Sequence, residues 1–90
     1  MSHLATYVPS EIYPLTTSGA DQNLADLAHQ EVDAVRQIHN KGAACSLTVV
    51  MVGGDPAGVA LAWDAGEIKR GQFKVIKAAS DNPIALEIGV

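Results

Sequence analysis

The sequence predicts an α+β fold in which an extended N-terminal arm precedes one amphipathic helix, packed on a small, mostly antiparallel sheet of about four strands. Apolar residues recur at a helical spacing within residues 21–40, and a β-branched apolar run follows at residues 45–52. Turn-forming residues divide the rest of the chain. We therefore expect an interaction arm over residues 1–20 and a single small domain over residues 21–90.

Composition restricts the possible functions. With 90 residues the chain can build one core, and with 48% hydrophobic residues but few aromatics that core must be mainly aliphatic. The formal net charge of −4 argues against specific nucleic-acid binding, which needs clustered Lys and Arg. Cys45 is the only cysteine, and no Cys/His cluster has metal-ligand spacing, so we expect no disulfide, metal or cofactor. No signal peptide or membrane span is recognised.

The N-terminal arm is predicted to be extended, because Pro9 and Pro14 disfavour a helix. It is too apolar for a solvated tail. One interpretation is that it packs on its own domain, and the other is that it crosses to a neighbouring subunit and pairs with a sheet edge. The residues that would make either contact are apolar or aromatic: Leu4, Tyr7, Val8, Ile12, Tyr13 and Leu15.

The predicted helix covers residues 21–40. Asp21 is a suitable N-cap, and Gly42 is a suitable C-terminal stop. The residues between them form one apolar stripe, consisting of Leu24, Leu27, Ala28, Val35 and Ile38. The expected role of this stripe is to pack on the sheet.

Residues 45–52 are predicted to form a buried strand, after which residues 53–56, Gly-Gly-Asp-Pro, allow two interpretations. Asp55 and Pro56 could begin a second helix, or the segment could be a hairpin loop leading into a returning strand that contains Val59, Leu61 and Trp63. Gly58 and Gly66 favour the hairpin, since a glycine inside a helix costs about 0.5–1 kcal/mol.

The remaining chain reads as two more strands, over residues 72–79 and 84–90. Ser-Asp-Asn-Pro at residues 80–83 is a strong turn signal between them. The sequence therefore predicts a C-terminal hairpin.

Few residues suggest catalysis. The loop of residues 53–58 could direct backbone amides at an anion, but it lacks the Lys-Ser/Thr of a phosphate loop. Cys45 begins an apolar strand and is expected to be a small buried hydrophobe. Asp64 and Glu67 are interpreted as solvated loop carboxylates.

The basic residues are distributed unevenly, since four of the six fall within a short segment: Lys69, Arg70, Lys74 and Lys77. One interpretation is a strand edge protected from aggregation by its lysines. The other is a surface that docks onto an acidic protein.

Three short motifs occur in order in the C-terminal half: Ala-Trp-Asp at residues 62–64, Gly-Gln-Phe at residues 71–73 and a final β-strand pattern at residues 84–90. This half resembles the head-decoration, or capsid cement, proteins of tailed phages. The resemblance implies an extended N-terminal arm that adds to a capsid-protein sheet, and a small domain that oligomerises where capsid subunits meet.

We therefore expect a non-enzymatic structural subunit of a larger assembly, a virion protein of the capsid-decoration type. Its expected partners are protein subunits, including a major capsid protein and further copies of itself, with no membrane and no specific nucleic acid. The predicted partner-binding residues are Leu4, Tyr7, Val8, Ile12, Tyr13, Lys69, Arg70, Lys74 and Lys77. The alternatives are a small enzyme or ligand-binding module using the loop of residues 53–58, and a small cytoplasmic regulator that docks through the helix of residues 21–40.

Overall fold

The computed structural model describes residues 11–27, 34–77 and 83–90 of the chain. This part of the chain is all-β, with no α-helix and one short 3-10 helix, Leu24–Leu27. Its strands are β1 (Ile12–Thr16), β2 (Gln22–Asn23), β3 (Arg36–Asn40), β4 (Cys45–Met51), β5 (Val59–Trp63), β6 (Ile68–Gly71), β7 (Phe73–Ile76) and β8 (Ala85–Gly89).

The strands form two four-stranded sheets in which every pairing is antiparallel. Sheet 1 has the order β1-β8-β3-β6, and sheet 2 has the order β2-β7-β4-β5. The chain passes from sheet 1 to sheet 2 at Gln72, which alone separates β6 from β7.

One hydrophobic core contains side chains from both sheets. Sheet 1 contributes Ile38, Leu86 and Ile88, while the 3-10 helix contributes Leu24; sheet 2 contributes Leu47, Val49, Trp63, Phe73 and Ile76. Alternation along β4 and β8 places these residues on the inner face and polar neighbours such as Ser46 and Glu87 on the outer face. The aliphatic core expected from the composition is thus completed by one Trp and one Phe.

The α+β prediction and its helix over residues 21–40 are wrong. Residues 22–23 are a strand, residues 24–27 are a 3-10 helix and residues 36–40 are β3, while residues 28–33 lie outside the described part of the chain. Tertiary contacts override the helical pattern, because β3 is hydrogen-bonded to β8 on one side and to β6 on the other. This central position buries even polar Arg36 and Asn40 completely, which a helix with one solvated face would not do.

The prediction of a strand followed by a hairpin at residues 45–63 is confirmed. Strands β4 and β5 pair antiparallel with Leu47 opposite Leu61. Gly53 and Gly58 have φ values of 73° and 83°, in the left-handed region that glycine adopts without strain. The second-helix interpretation of this segment is therefore excluded.

The predicted C-terminal hairpin is wrong in its pairing. Strand β7 belongs to sheet 2, whereas β8 lies in sheet 1 between β1 and β3. These non-local pairings bury Leu86 and Ile88, and that burial outweighs the local turn signal, part of which lies outside the described residues. Strand β6 completes sheet 1.

The end of the N-terminal arm belongs to the sheet. Ile12–Thr16 form β1, which pairs with β8 of the same chain. Just before it, Glu11 and Val90 exchange backbone hydrogen bonds of 3.2 and 2.9 Å. Residues 1–10 of the arm lie outside the described part of the chain.

Candidate protein interface

The predicted partner-binding residues of the arm fall into two groups. Leu4, Tyr7 and Val8 lie outside the described residues, while Ile12 and Tyr13 are in β1. The side chain of Ile12 is 53% exposed, so it remains available for contact. Tyr13 donates a hydrogen bond from its hydroxyl to the carboxylate of Glu11, and this bond raises the pKa of Tyr13.

The four basic residues of the predicted docking surface differ in whether they form an ion pair within the chain. Lys77 pairs with Asp21 at 2.9 Å, and Lys69 pairs with Glu67 at 3.2 Å. Lys69 also lies over the indole of Trp63, with its Nζ 5.4 Å from the ring centroid. These two lysines are therefore already paired within the chain, although ion pairs this exposed contribute little to stability.

Arg70 and Lys74 are exposed, and neither has an acidic partner among the described residues. Arg70 lies on β6 of sheet 1, beside Gln37 of β3. Lys74 lies on β7 of sheet 2, between the buried residues Phe73 and Ile76. The basic run is therefore divided between two sheets.

The edges of the two sheets are the positions at which a partner strand could add. Among the described strands, the edges are β1 and β6 in sheet 1, and β2 and β5 in sheet 2. An unpaired edge exposes backbone donors and acceptors, so proteins usually shorten it, charge it or place proline in it.

Strand β1 is protected by Pro14. The mutual hydrogen bonds of Glu11 and Val90 mean that alternate residues of β1, including Pro14, direct their backbone away from β8. Proline therefore removes the central outward donor of this edge. Nearby, the carbonyl of Thr16 accepts a 3.1 Å hydrogen bond from the Gln22 side chain, which occupies an acceptor.

The other edge of sheet 1 and the first edge of sheet 2 are protected in different ways. Strand β6 carries Lys69 and Arg70 in its centre. Strand β2 has only two residues. Charge and shortness are both established ways of discouraging strand addition.

Strand β5, with the sequence Val-Ala-Leu-Ala-Trp, has none of these protections. Its outward backbone groups can be identified from the neighbouring strand. The amide of Lys77 in sheet 2 donates to the carbonyl of Thr48 at 2.8 Å, so Thr48 faces β7 and its neighbour Val49 faces β5. In the regular register of β4 and β5, Val59 then bonds to Val49.

Following this alternation along β5, Val59, Leu61 and Trp63 direct their backbone groups toward β4. Ala60 and Ala62 direct theirs outward. Both alanines are exposed, and Val59, at the start of the strand, is 49% exposed. This edge is uncharged, free of proline and partly apolar, and it was not singled out by sequence reasoning, although its lack of charge was visible.

The loop of residues 53–58 is a self-contained turn. Gly54 donates to the carbonyl of Met51, and Gly58 donates to the carbonyl of Asp55, both at 2.9 Å. The amide of Ala57 donates to the Asp55 carboxylate at 2.8 Å. These amides are therefore already used within the loop, which counts against the predicted alternative of an anion-binding site here.

The contacts of Glu67 and Cys45, two side chains considered for catalysis, do not prepare either of them for a chemical step. Glu67 accepts a hydrogen bond from the backbone amide of Asp64 at 2.8 Å, and this bond, with the ammonium of Lys69, lowers the pKa of Glu67. Burial raises the pKa of the Cys45 thiol, which disfavours the thiolate that a nucleophile requires. Cys45 lies in the wall of a cleft of about 480 Å³ lined mainly by small residues, including Ala43, Ala44 and Ala85.

Within residues 11–27, 34–77 and 83–90, no cluster of three or more His, Cys, Asp or Glu side chains has a metal-binding arrangement. In the same part of the chain, no helix has the length and apolarity needed to cross a bilayer.

The sequence matches no protein-family model, and neither a curated protein nor a solved structure is significantly similar to the chain. Its function therefore has to be inferred from the geometry of the molecule itself. The edge of β5 is the part of the described surface best suited to bind a strand of another protein, because it is unprotected.

Proposed function

We propose that this protein is a non-enzymatic structural subunit that joins protein neighbours in a larger assembly. The observation that carries the proposal is the edge of β5, which is uncharged and exposed while the other edges of the described sheets are protected by proline, charge or shortness. Such an edge supports backbone hydrogen bonding to a further strand.

The finer proposal is a virion protein of the capsid-decoration type. It is supported by the resemblance of the C-terminal half to phage head-decoration proteins, whose motifs fall here at the end of β5, at the crossover between the sheets and along β8. In this role the partners are capsid subunits and further copies of the chain. The alternative of a regulator that docks through a helix over residues 21–40 is not proposed again, because that helix is not formed.

The N-terminal arm has a defined starting point in this proposal. Residues 1–10 precede β1, which is an edge strand of sheet 1, so they join the fold at its border. Leu4, Tyr7 and Val8 would supply apolar anchors on a neighbouring subunit, and Ile12 of β1 is exposed for the same use. The exposed cations Arg70 and Lys74 would orient the subunit on an acidic partner.

The proposal is tested by co-sedimentation with a multi-megadalton particle from a phage preparation or native lysate. The arm deletion should remove residues 1–10 only, because Ile12–Thr16 pair with β8 and their loss would damage sheet 1. A matched variant replaces Leu4, Tyr7 and Val8 with Ser at unchanged chain length. We expect the full chain to sediment with the particle and both variants to lose most of that binding while remaining folded by circular dichroism. A full chain that stays in the supernatant as a small species would contradict the assembly role.

A further inference from the structure

We propose that β5 pairs antiparallel with β5 of a second copy of this chain, about a two-fold axis that passes through Leu61. This inference deepens the proposed function, on which it rests for the expectation that the chain assembles, by naming a partner and a register. In the resulting dimer, sheet 2 of one copy continues into sheet 2 of the other.

The backbone of β5 is suited to this symmetry. Its outward-facing residues, Ala60 and Ala62, lie one position on either side of Leu61. In an antiparallel pair centred on Leu61, Ala60 of each copy is opposite Ala62 of the other. Residues opposite each other in this orientation exchange both N–H···O bonds, so the outward amides and carbonyls of both alanines are satisfied.

Hydrogen bonds at the two ends of the strand favour this register. At one end the amide of Gly58 already donates to Asp55. At the other end the amide of Asp64 donates to Glu67, and the carbonyl of Asp64 accepts a 3.1 Å hydrogen bond from Asn40 Nδ2. Within β5 itself the outward-facing backbone groups are those of Ala60 and Ala62, which lie symmetrically about Leu61 and favour an isologous contact.

The side chains are also compatible with a second copy. On the inner face, Val59 lies opposite Trp63 of the second copy, so the pairing covers a valine that is 49% exposed in the single chain. On the outer face the opposed residues are alanines, which do not obstruct approach. Because β5 carries no charged residue, no like charges are opposed across the strand pair, despite the net charge of −4 per chain.

A single five-residue strand makes a small contact. Interfaces burying less than about 1,200 Å² in total are usually weak or transient. We therefore expect dimerisation that depends on protein concentration, and that an assembly would reinforce by supplying further contacts to each subunit.

The first experiment is sedimentation equilibrium of the purified full chain from micromolar to millimolar concentration. Ala60→Pro removes an outward amide without removing a bond to β4, and we expect it to weaken dimerisation at least about tenfold. Ala60→Lys adds a charge to the edge and should act in the same direction. Ser46→Lys is the matched control, because Ser46 is exposed opposite Ala62 on β4, one strand away from the edge, and it should leave dimerisation unchanged.

A second experiment tests the register. In a Cys45→Ser background, Leu61→Cys places two thiols opposite each other at the two-fold axis, where non-hydrogen-bonded residues have Cα atoms about 4.5 Å apart. That spacing permits a disulfide, so oxidation with diamide should give a covalent dimer. Ala62→Cys is the control. It is opposite Ala60 rather than itself and should cross-link much more slowly, although it is more exposed.

A chain that remains monomeric at millimolar concentration, dimerisation that Ala60→Pro and Ala60→Lys leave unchanged, or equal cross-linking at both cysteine positions would each overturn the inference. These outcomes are separate from the proposed function. A protein that sediments with a large particle but never self-pairs through β5 would retain the assembly role and lose only this contact. A chain that dimerises through β5 but binds no particle would support this contact and contradict the assembly role.

Discussion

Trp63 donates its indole N–H to the backbone carbonyl of Ile38 at 3.2 Å, and the side chains of both residues are buried. Trp63 ends β5, at the edge of sheet 2, while Ile38 is in the centre of β3 in sheet 1. This hydrogen bond therefore links β5, the edge strand of sheet 2, to the centre of sheet 1. The ring of Trp63 also lies 6.2 Å from that of Phe73, so the same side chain organises the middle of the core.

Replacing Trp63 with Phe should destabilise the protein by about 1–2 kcal/mol, because it removes one buried hydrogen bond and some packing volume. Trp63→Ala should cost about 3–5 kcal/mol by leaving a cavity. Urea unfolding followed by circular dichroism measures both, since the only tryptophan fluorophore is lost. Equal costs for the two variants would show that the volume near Trp63 collapses freely, and that the loss common to both, which includes the indole hydrogen bond, accounts for the whole effect.

Gly58 and Gly66 both have left-handed φ values, 83° and 78°, but their surroundings differ. A Cβ on Gly58 would lie 2.9 Å from the carbonyl oxygen of Val49 and 2.9 Å from Thr48 Cγ2, whereas nothing lies within 4 Å of a Cβ on Gly66. We expect Gly66→Ala to cost about 1–2 kcal/mol from backbone strain alone. Gly58→Ala should cost about 1–3 kcal/mol more, because the β4–β5 hairpin must also open to relieve the overlap.

Thermal unfolding of the two glycine variants, compared with the unmodified chain, measures this difference directly. Each variant serves as the control for the other because the conformational strain is shared. Similar melting temperatures for Gly58→Ala and Gly66→Ala would contradict the close approach of Gly58 to β4.

The pKa of Glu67 is lowered first by the hydrogen bond from the Asp64 amide and then by Lys69. A carboxyl whose pKa is lower in the folded state contributes stability above its unfolded pKa, near 4.5, and loses that contribution as the pH falls through the folded value. Glu67→Gln should therefore reduce stability at pH 7 and make it less dependent on pH between about 5 and 2.

Melting temperatures from pH 7 to pH 2 test this expectation, with Asp55→Asn as a second carboxyl variant in a different turn. Since the Glu67 side chain is about one-third exposed, the effect should be modest and should decrease in high salt. A Glu67→Gln variant whose acid unfolding parallels that of the unmodified chain would show that this turn does not contribute to pH-dependent stability.

Local signals in the sequence predicted the β4–β5 hairpin well. These signals act over a few residues: the β-branched run of β4, the glycines at residues 53 and 58, and the alternation of β5. They therefore favoured the hairpin over the second helix that the same residues also allowed. The same reasoning identified strands near β7 and β8 from their composition. What it could not specify was which strand each of them would pair with, because pairing depends on the burial of residues far apart in the chain.

The candidate interface was predicted only in outline. An apolar arm and a basic run are visible in the sequence, but the arrangement of the sheets divides Arg70 from Lys74 and pairs Lys69 and Lys77 with carboxylates. The edge position of β5 was not predictable, since a strand is an edge only with respect to its sheet. Identifying Ala60 and Ala62 as outward-facing required the register of the neighbouring strands.

The sequence by itself determined a mainly aliphatic single core and a strand at residues 45–51, and it favoured the hairpin that follows, because composition and turn chemistry act locally. The tertiary structure alone decided that Leu24 and Ile38 belong to a 3-10 helix and a strand rather than to one helix. It also decided that the C-terminal strand β8 lies between β1 and β3. The physical reason is that burial between two sheets, with hydrogen bonds to strands on both sides, stabilises β3 more than the helical spacing of its apolar residues stabilises a helix.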